Sequence, residues 1–284
     1  MKTKTILITG CSSGIGLAVA HGLKTRGYRI FATARKAEDV ESLKQQGFES
    51  LRLDLADTHS IYHAVDTILS QTNGIIDVLF NNGAYGQPGA VEDLSRDVLR
   101  KQFETNLFGT HELTCRVLEV MRQQGDYGRI IHNSSVLGLV SLPFRGAYNA
   151  SKFALEGLTD TLRMELNMVQ SNIHISLIEP GPITSEFRAN AYKMFQQHID
   201  KQNSPYRKIY EAMERRLVTE GPTAPFTLPP EAVLEKVIHA IESPNPRVRY
   251  YVTFPTWLFA TLKRLVPHTW LDRVLLSVAH GENK

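Results

Sequence analysis

Tyr148 and Lys152 stand four residues apart in the stretch YNASK. On a helix that spacing puts both side chains on one face. A phenol with its ordinary pKa of about 10 exchanges protons poorly at neutral pH, and a nearby ammonium lowers that value by favouring the phenolate. The pair is of the type that gives or takes a proton at a substrate oxygen. A serine hydroxyl bonded to the same oxygen would complete such a site. Ser134 and Ser135 close the apolar run GRIIHNSS upstream, and Asn106 opens the stretch NLFG. Read singly, each residue has an ordinary structural use. The tyrosine could be a packed aromatic, the serine a strand-end residue, the asparagine a cap or a bonded buried amide. His132 lies close to the serines, but strand alternation turns it to the opposite side, so its expected role is structural.

A second constellation opens the chain. Residues 9–16 read TGCSSGIG, directly after the apolar run ILIT and directly before a helical pattern. Glycines there let the backbone turn tightly and let a pyrophosphate approach, with the free N–H groups of the following helix aimed at it. The spacing is G-x3-G-x-G rather than G-x-G-x-x-G, and no GK[ST] follows, which argues against a P-loop nucleotidase. An acidic residue at the end of the second strand would select NAD by bonding its ribose 2′-hydroxyl. This chain has Ala34 followed by Arg35 and Lys36. A guanidinium is a good bidentate partner for a phosphate, so the expectation is NADP(H) rather than NAD. Asp54 is placed to accept the adenine amino group and is equally suited to cap the next helix.

The elements that must hold these residues alternate regularly. The apolar runs ILIT, YRIFATA, SLRLDL, IDVLFNN, GRIIHNSS, HISLIEPG and RVRYYVTF read as strands. Helical patterns stand between them, including one from Leu107 to Met121 and a long one from about Ala147. Runs that are apolar on both faces suit a parallel sheet covered on both sides, and right-handed crossovers then give a doubly wound sheet. The expected fold is a single α/β domain of Rossmann type over residues 1–284. Two stretches depart from the rhythm. Residues 184–230 are polar with a helical middle, and are expected to form a substrate lid that includes Phe187, Tyr192, Met194 and Phe195. Residues 254–284 form an amphipathic tail, with Leu258, Leu262 and Leu265 on one helical face and Trp270, Leu271, Val274, Leu275 and Val278 on another. It is expected to pack on its own domain, line an apolar pocket, form a subunit contact or touch a membrane surface.

Composition excludes several classes. Hydrophobic residues make up 42% and charged residues 21% of the 284, which are globular proportions. A net charge of +3 is too small for nucleic acid to be the expected partner. Two cysteines, Cys11 and Cys115, make no disulfide framework, and the ten histidines show no ligand spacing, so no metal is expected. No apolar stretch reaches bilayer-spanning length, and the opening run lacks a cleavage site, so the expected location is the cytoplasm.

Taken together, the motifs resemble the classical short-chain dehydrogenase/reductase family. The resemblance covers the core from about Lys4 to Pro182. It rests on TGCSSGIG, DL at Asp54 and Leu55, NNGA at residues 81–84, NLFG, NSS, YNASK and PGPIT at residues 180–184, all in one order. It implies Tyr148 as general acid/base and Lys152 as the residue that lowers its pKa and bonds the nicotinamide ribose. It implies Ser135, rather than Ser134, as the residue orienting the substrate oxygen, and Asn106 as the holder of a water in a proton relay. Gly10, Ser12, Ser13 and Ile15 resemble the phosphate-loop contacts. Asp54, Leu55 and Asn81 resemble the adenosine contacts, and Pro180, Gly181 and Ile183 the segment beside the nicotinamide. The family order Asn-Asn-Ala-Gly is replaced here by Asn81-Asn82-Gly83-Ala84, which keeps small residues against the cofactor but moves the flexible point by one position.

The turn ATAR and the long tail look similar to the retinol- and hydroxysteroid-dehydrogenase branch. The implied activity is NADPH-dependent reduction of hydrophobic aldehydes or ketones. The alternatives are the reverse alcohol oxidation, 3-oxoacyl thioester reduction, or a nucleotide-sensing regulator without catalysis. A homodimer or homotetramer is the implied assembly.

Overall fold

The computed structural model describes residues 3–219, 221 and 224–282. Seven strands form one parallel sheet in the order β3-β2-β1-β4-β5-β6-β7. They are β1 (Thr5–Ile8), β2 (Arg29–Ala34), β3 (Glu49–Arg52), β4 (Val78–Asn81), β5 (Tyr127–Asn133), β6 (Asn172–Glu179) and β7 (Arg249–Tyr251). The order reverses between β1 and β4, so a crevice opens at their carboxyl ends. The sheet is buried on both faces, as apolar runs without polar alternation require. Ile6 and Ile8 pack on one side with Val19 and Leu23 of helix α1 (Gly14–Thr25). Leu7 packs on the other side with Ile61, Val65, Leu113 and Val117. Each such side chain, fully buried, contributes roughly 1.5–3 kcal/mol.

Helices α2 (Ala37–Gln45) and α3 (Thr58–Thr72) return the chain after β2 and β3. Asp57 begins α3, its carboxylate accepting the His59 and Ser60 N–H groups. This leaves Asp54 free of the capping role, in the loop beyond the end of β3. The helix expected from Leu107 begins earlier. Helix α4 (Arg96–Phe103), capped by Ser95, runs through a π-helical turn (Glu104–Gly109) into α5 (Thr110–Gln123). The wider turn lets two backbones meet. A Cβ on Gly109 would lie 1.6 Å from the Leu55 carbonyl oxygen. The long helix α6 (Gly146–Met168) then carries YNASK in its first turns.

The expected lid consists of α7 (Phe187–His198) and α8 (Arg207–Val218), which leave and rejoin the body at a bridge between Ile183 and Leu228. Phe195 and Tyr210 are fully buried in a small core with Leu94, Val98 and Ala147. Tyr210 donates its hydroxyl hydrogen to Asp93 and accepts from the Ala90 N–H. After α9 (Glu231–Glu242), the tail forms α10 (Phe254–Leu265) and α11 (His268–Glu282). Phe259, Leu262, Leu271 and Leu275 pack on Val136, Val140 and Leu142, the segment directly after Ser135. The buried stripe is narrower than its sequence pattern. Leu265, Trp270, Val274 and Val278 stay exposed, because α11 touches the body along Leu271 and Leu275 alone of its apolar positions.

Gly109→Ala is expected to lower stability by about 1–3 kcal/mol, since neither backbone can retreat freely. A chemical-denaturation midpoint equal to that of the unaltered chain would show that the π turn yields.

Candidate active site

The loop after β1 is shaped by close backbone approaches. Gly10 and Gly14 adopt φ of 70° and 57°. A Cβ on Gly10 would lie 2.7 Å from the Gly83 Cα, and one on Gly16 would lie 2.2 Å from the Gly10 carbonyl oxygen. Thr9 Oγ1 accepts from the Asn82 and Gly83 N–H groups, at 2.9 and 2.8 Å. Asn82 donates its side-chain amide to the Thr9 and Gly10 carbonyls. Asn133 at the end of β5 donates to Asn82 in turn. Ser13 makes no side-chain cap, and no acidic residue stands in the first turn of α1. Ser12 is exposed and Ile15 half-buried against the core. The end of α1 therefore presents N–H groups to the crevice with no competing carboxylate, an arrangement that fits a dinucleotide pyrophosphate.

The residues expected at the adenosine lie at and beyond the ends of β2, β3 and β4. Arg35 is exposed directly beyond β2. Arg52 reaches across from the end of β3 and donates to the Arg35 carbonyl at 3.2 Å. Asp54 is half-buried and accepts from the Ala56 N–H. Leu55 is buried in the core, where its Cδ1 comes within 3.2 Å of a Cβ built on Gly83. Asn81 is the last residue of β4. Its side chain turns into the sheet and donates to Thr114 at 2.9 Å, leaving only its main chain at the edge. Strand alternation sends the next residue, Asn82, to the glycine loop instead.

Beyond the end of β5, Ser135 stands near enough to the Tyr148 hydroxyl to lower its pKa and accepts from the Leu137 N–H at 3.1 Å. Ser134 turns away, its buried hydroxyl making no hydrogen bond. The Lys152 ammonium is buried, lies 5.7 Å from the Tyr148 ring centroid, and donates to the Asn133 carbonyl at 2.7 Å. Burial pushes the Tyr148 phenol up to about 12, with the Ser135 hydroxyl and the Arg145 charge opposing the rise. The Lys152 ammonium, expected to favour the phenolate, is turned to the Asn133 carbonyl. Burial holds Lys152 itself down at about 8, and the Glu156 charge opposes the fall. Asn106 sits in the π turn, accepting from the Tyr85 N–H and donating to the Tyr85 carbonyl and Ser151. Its amide thereby ties the loop after β4 to the face of α6 between Tyr148 and Lys152.

The roof closes from three sides. The Val136 N–H donates to the Pro180 carbonyl at 2.8 Å. Gly181 lies against Thr253, where a Cβ would fall 2.1 Å from the Thr253 Oγ1. Ile183 pairs with Leu228. Phe187, the first residue of α7, sets its ring edge-on to Tyr148 with centroids 5.2 Å apart. Gly86 lies flat beside both rings, and a Cβ there would meet Phe187 at 2.7 Å. Ser185 lies over Gly14, linking the lid to the phosphate loop. The residues that sequence reading passed over are Asn82, Gly86, Arg52 and Glu156. Asn82 had a signal in the motif NNGA, and Glu156 in its place four positions after Lys152 on the same helix.

A glycine loop at the reversal of a doubly wound sheet, with serine, tyrosine and lysine at its carboxyl edge, defines a nicotinamide-nucleotide oxidoreductase. The model for short chain dehydrogenase matches residues 4–195, and the chain belongs to that family. An uncharacterized oxidoreductase, YbbO of Escherichia coli strain K12, is 43% identical over 272 residues, covering 96% of this chain and 94% of its own. Human retinol dehydrogenase 8 is 33% identical, covering 92% and 85% respectively. A short-chain dehydrogenase/reductase from Burkholderia phymatum, solved in complex with NAD, shares the fold with a TM-score of 0.78 at 24% identity, covering 96% and 95%.

His132 lies behind this site among Asn81, Thr114 and Thr159, and burial together with the Lys152 charge pushes it down to about 3. Its neutral form is the folded one. Stability from this group is complete above the ordinary histidine value of about 6.5 and falls as pH drops toward 3, because only the unfolded chain takes the proton. His132→Gln is expected to flatten the acid-side loss of stability between pH 6.5 and 4. Parallel pH dependences of the two denaturation midpoints would contradict this.

Proposed function

We propose that the protein is an NADPH-dependent reductase of hydrophobic aldehydes or ketones, with Tyr148 as the proton donor. The observation that carries this reading is the meeting of Ser135, Tyr148 and the buried Lys152 at the end of β5, with Phe187 edge-on to the Tyr148 ring. The cradle of Gly10, Ser12, Ser13 and Ile15 at the start of α1 suits the pyrophosphate. Pro180, Gly181 and Ile183 would flank the nicotinamide, with Asp54 and the Asn81 main chain at the adenosine. When bound, the nicotinamide supplies the hydride that reduces the carbonyl carbon. Ser135 then orients the substrate oxygen, and the Tyr148 Oη–H bond breaks as its proton passes to that oxygen. The carbonyl becomes an alcohol and Tyr148 is left as phenolate, to be reprotonated from solvent. Burial favours protonated Tyr148, the form that reduction requires. Lys152 would bond the nicotinamide ribose and stabilise that phenolate, and Asn106 would hold the neighbouring loop and a relay water.

Preference for NADPH rests on Arg35, with Arg52 beside it, at the position where an NAD-selective site places a carboxylate. The apolar wall of Val140, Leu142, Phe259 and Leu262 supports a hydrophobic substrate. The likeness to retinol dehydrogenase 8 points the same way. No helix among the described residues is long and apolar enough to cross a membrane. Exposed Phe153, Met164 and Met168 on α6 favour assembly into a homodimer or homotetramer.

The test is a screen of aldehydes and ketones of graded chain length, following nicotinamide absorbance with NADPH and with NADH. Tyr148→Phe is expected to lower kcat by about 10²–10⁴-fold with NADPH affinity nearly unchanged. Full activity in that variant would end the mechanism. Arg35→Asp is expected to weaken NADPH binding by roughly 10-fold or more while sparing NADH; an unaltered ratio of the two cofactors would remove Arg35 from that role.

A further inference from the structure

One turn beyond Lys152, a cluster of charges is buried against the end of the sheet. Arg249 of β7 donates to Glu156 and Glu179 through one guanidinium nitrogen, and to Asp160 at 2.6 Å through another. Glu156 and Asp160 belong to α6, and Glu179 is the last residue of β6, directly before Pro180 and Gly181. Glu179 is fully buried and Glu156 nearly so. Asp160 is also paired with Arg163 at 3.1 Å, so the two most buried carboxylates, Glu156 and Glu179, share the single guanidinium of Arg249. The remaining oxygens Glu156 Oε1 and Glu179 Oε2 are buried with no hydrogen-bond partner. Unpaired buried charge is strongly unfavourable, so such a cluster must hold a proton or be balanced by a nearby cation. Repulsion from Glu156 and burial raise Glu179 to about 8, so Glu179 carries the proton at neutral pH. Glu156 shares that guanidinium nitrogen and lies one turn beyond Lys152 on α6.

The cations that face this anion come from three elements. Arg249 clamps it from β7. Lys263 of α10 feels its charge from the solvent side, over the Phe153 ring. Lys152, four residues earlier on α6, is the third, and Glu156 is the acidic group whose charge acts on it. His132 of β5 lies beyond Lys152 and stays neutral. Gly138 keeps the far side open, since a Cβ there would fall 3.1 Å from Glu156 Oε1.

We propose that the Glu156 carboxylate, held in place by Arg249, is the buried counter-charge of the Lys152 ammonium and a positioning residue for proton transfer at Tyr148. The assignment rests on the reading of Tyr148 and Lys152 given above. Lys152 is enclosed by protein, and its carbonyl partner Asn133 carries no charge. Glu156 therefore decides how far into the alkaline range the ammonium persists, and with it the state in which Lys152 can steady a phenolate.

The test follows Lys152 directly by NMR titration of the full chain carrying 13C at the lysine ε-carbons, its signal assigned by loss in Lys152→Met. In Glu156→Gln the midpoint is expected to fall by roughly one pH unit, the size of effect a close opposite charge exerts. Arg249 keeps two carboxylates there and the amide oxygen as a third acceptor. Where the amide variant fails to fold, Glu156→Met carries the same expectation. Glu179→Gln is expected to leave the midpoint near its original value, since that residue is already uncharged. An unmoved midpoint in Glu156→Gln, or an equal fall in Glu179→Gln, would overturn the assignment. Turnover by Tyr148→Phe, measured alongside with decanal and NADPH, separates the two claims. A fully active Tyr148→Phe would defeat the catalytic reading, whereas an unmoved Lys152 midpoint with an inactive Tyr148→Phe would defeat the counter-charge alone.

Discussion

The catalytic end of the molecule depends on one hydrogen bond, from the buried Lys152 ammonium to the Asn133 carbonyl. It pins the first turns of α6 to the carboxyl edge of β5, and so fixes the distance from Tyr148 to Ser135. An ammonium in that position loses nearly all its hydration, which is tolerable only with strong acceptors and a nearby anion. Asn133 also donates its amide to Asn82, which in turn bonds the carbonyls of the glycine loop. A single asparagine thus joins the proton-handling side of the crevice to the phosphate-binding side. The two halves of the proposed chemistry share one rigid frame at the end of the sheet.

The glycine loop obeys a different constraint, that of space. A Cβ on Gly10 would run into the Gly83 Cα and one on Gly16 into the Gly10 carbonyl oxygen, while one on Gly83 would press on Leu55 and Thr9. This explains why the order Asn-Asn-Gly-Ala functions here as a small-residue contact: the glycine of the pair faces the loop after β1. Gly109 answers the same need on the other side of β4, where the Leu55 carbonyl enters the space of a missing side chain. The π-helical turn before it directs Asn106 inward to Tyr85 and Ser151.

Much of this architecture was legible in the chain itself. The seven apolar runs become the seven strands, because a sheet covered on both faces tolerates few polar interruptions. Residues whose role depends on local geometry, such as Gly10 after β1 and the Tyr148–Lys152 pair on α6, fall where their spacing places them. What spacing left open is direction and context. The Asn81 side chain turns into the sheet toward Thr114, and strand parity sends the Asn82 side chain to the glycine loop. The helix before Met121 starts eleven residues earlier than Leu107, with Arg96, since a polar first turn carries little hydrophobic period. Trp270, Val274 and Val278 share a helical side with Leu271 and Leu275, yet only the last two meet the body.

By itself, then, the sequence determined the kind of sheet, the place of its crevice and the identities of the groups that could handle a phosphate and a proton. These follow from period, spacing and residue type, which are properties of neighbours in the chain. The tertiary structure alone decided what surrounds those groups. It brought Phe187 onto Tyr148 across the whole of β6, and gathered Arg249 and Glu179 about Glu156 from separate strands. It turned the Lys152 ammonium to the Asn133 carbonyl, beside the Tyr148 ring. Burial and counter-charge depend on residues distant in sequence, and those two quantities set the protonation of Tyr148 and Lys152.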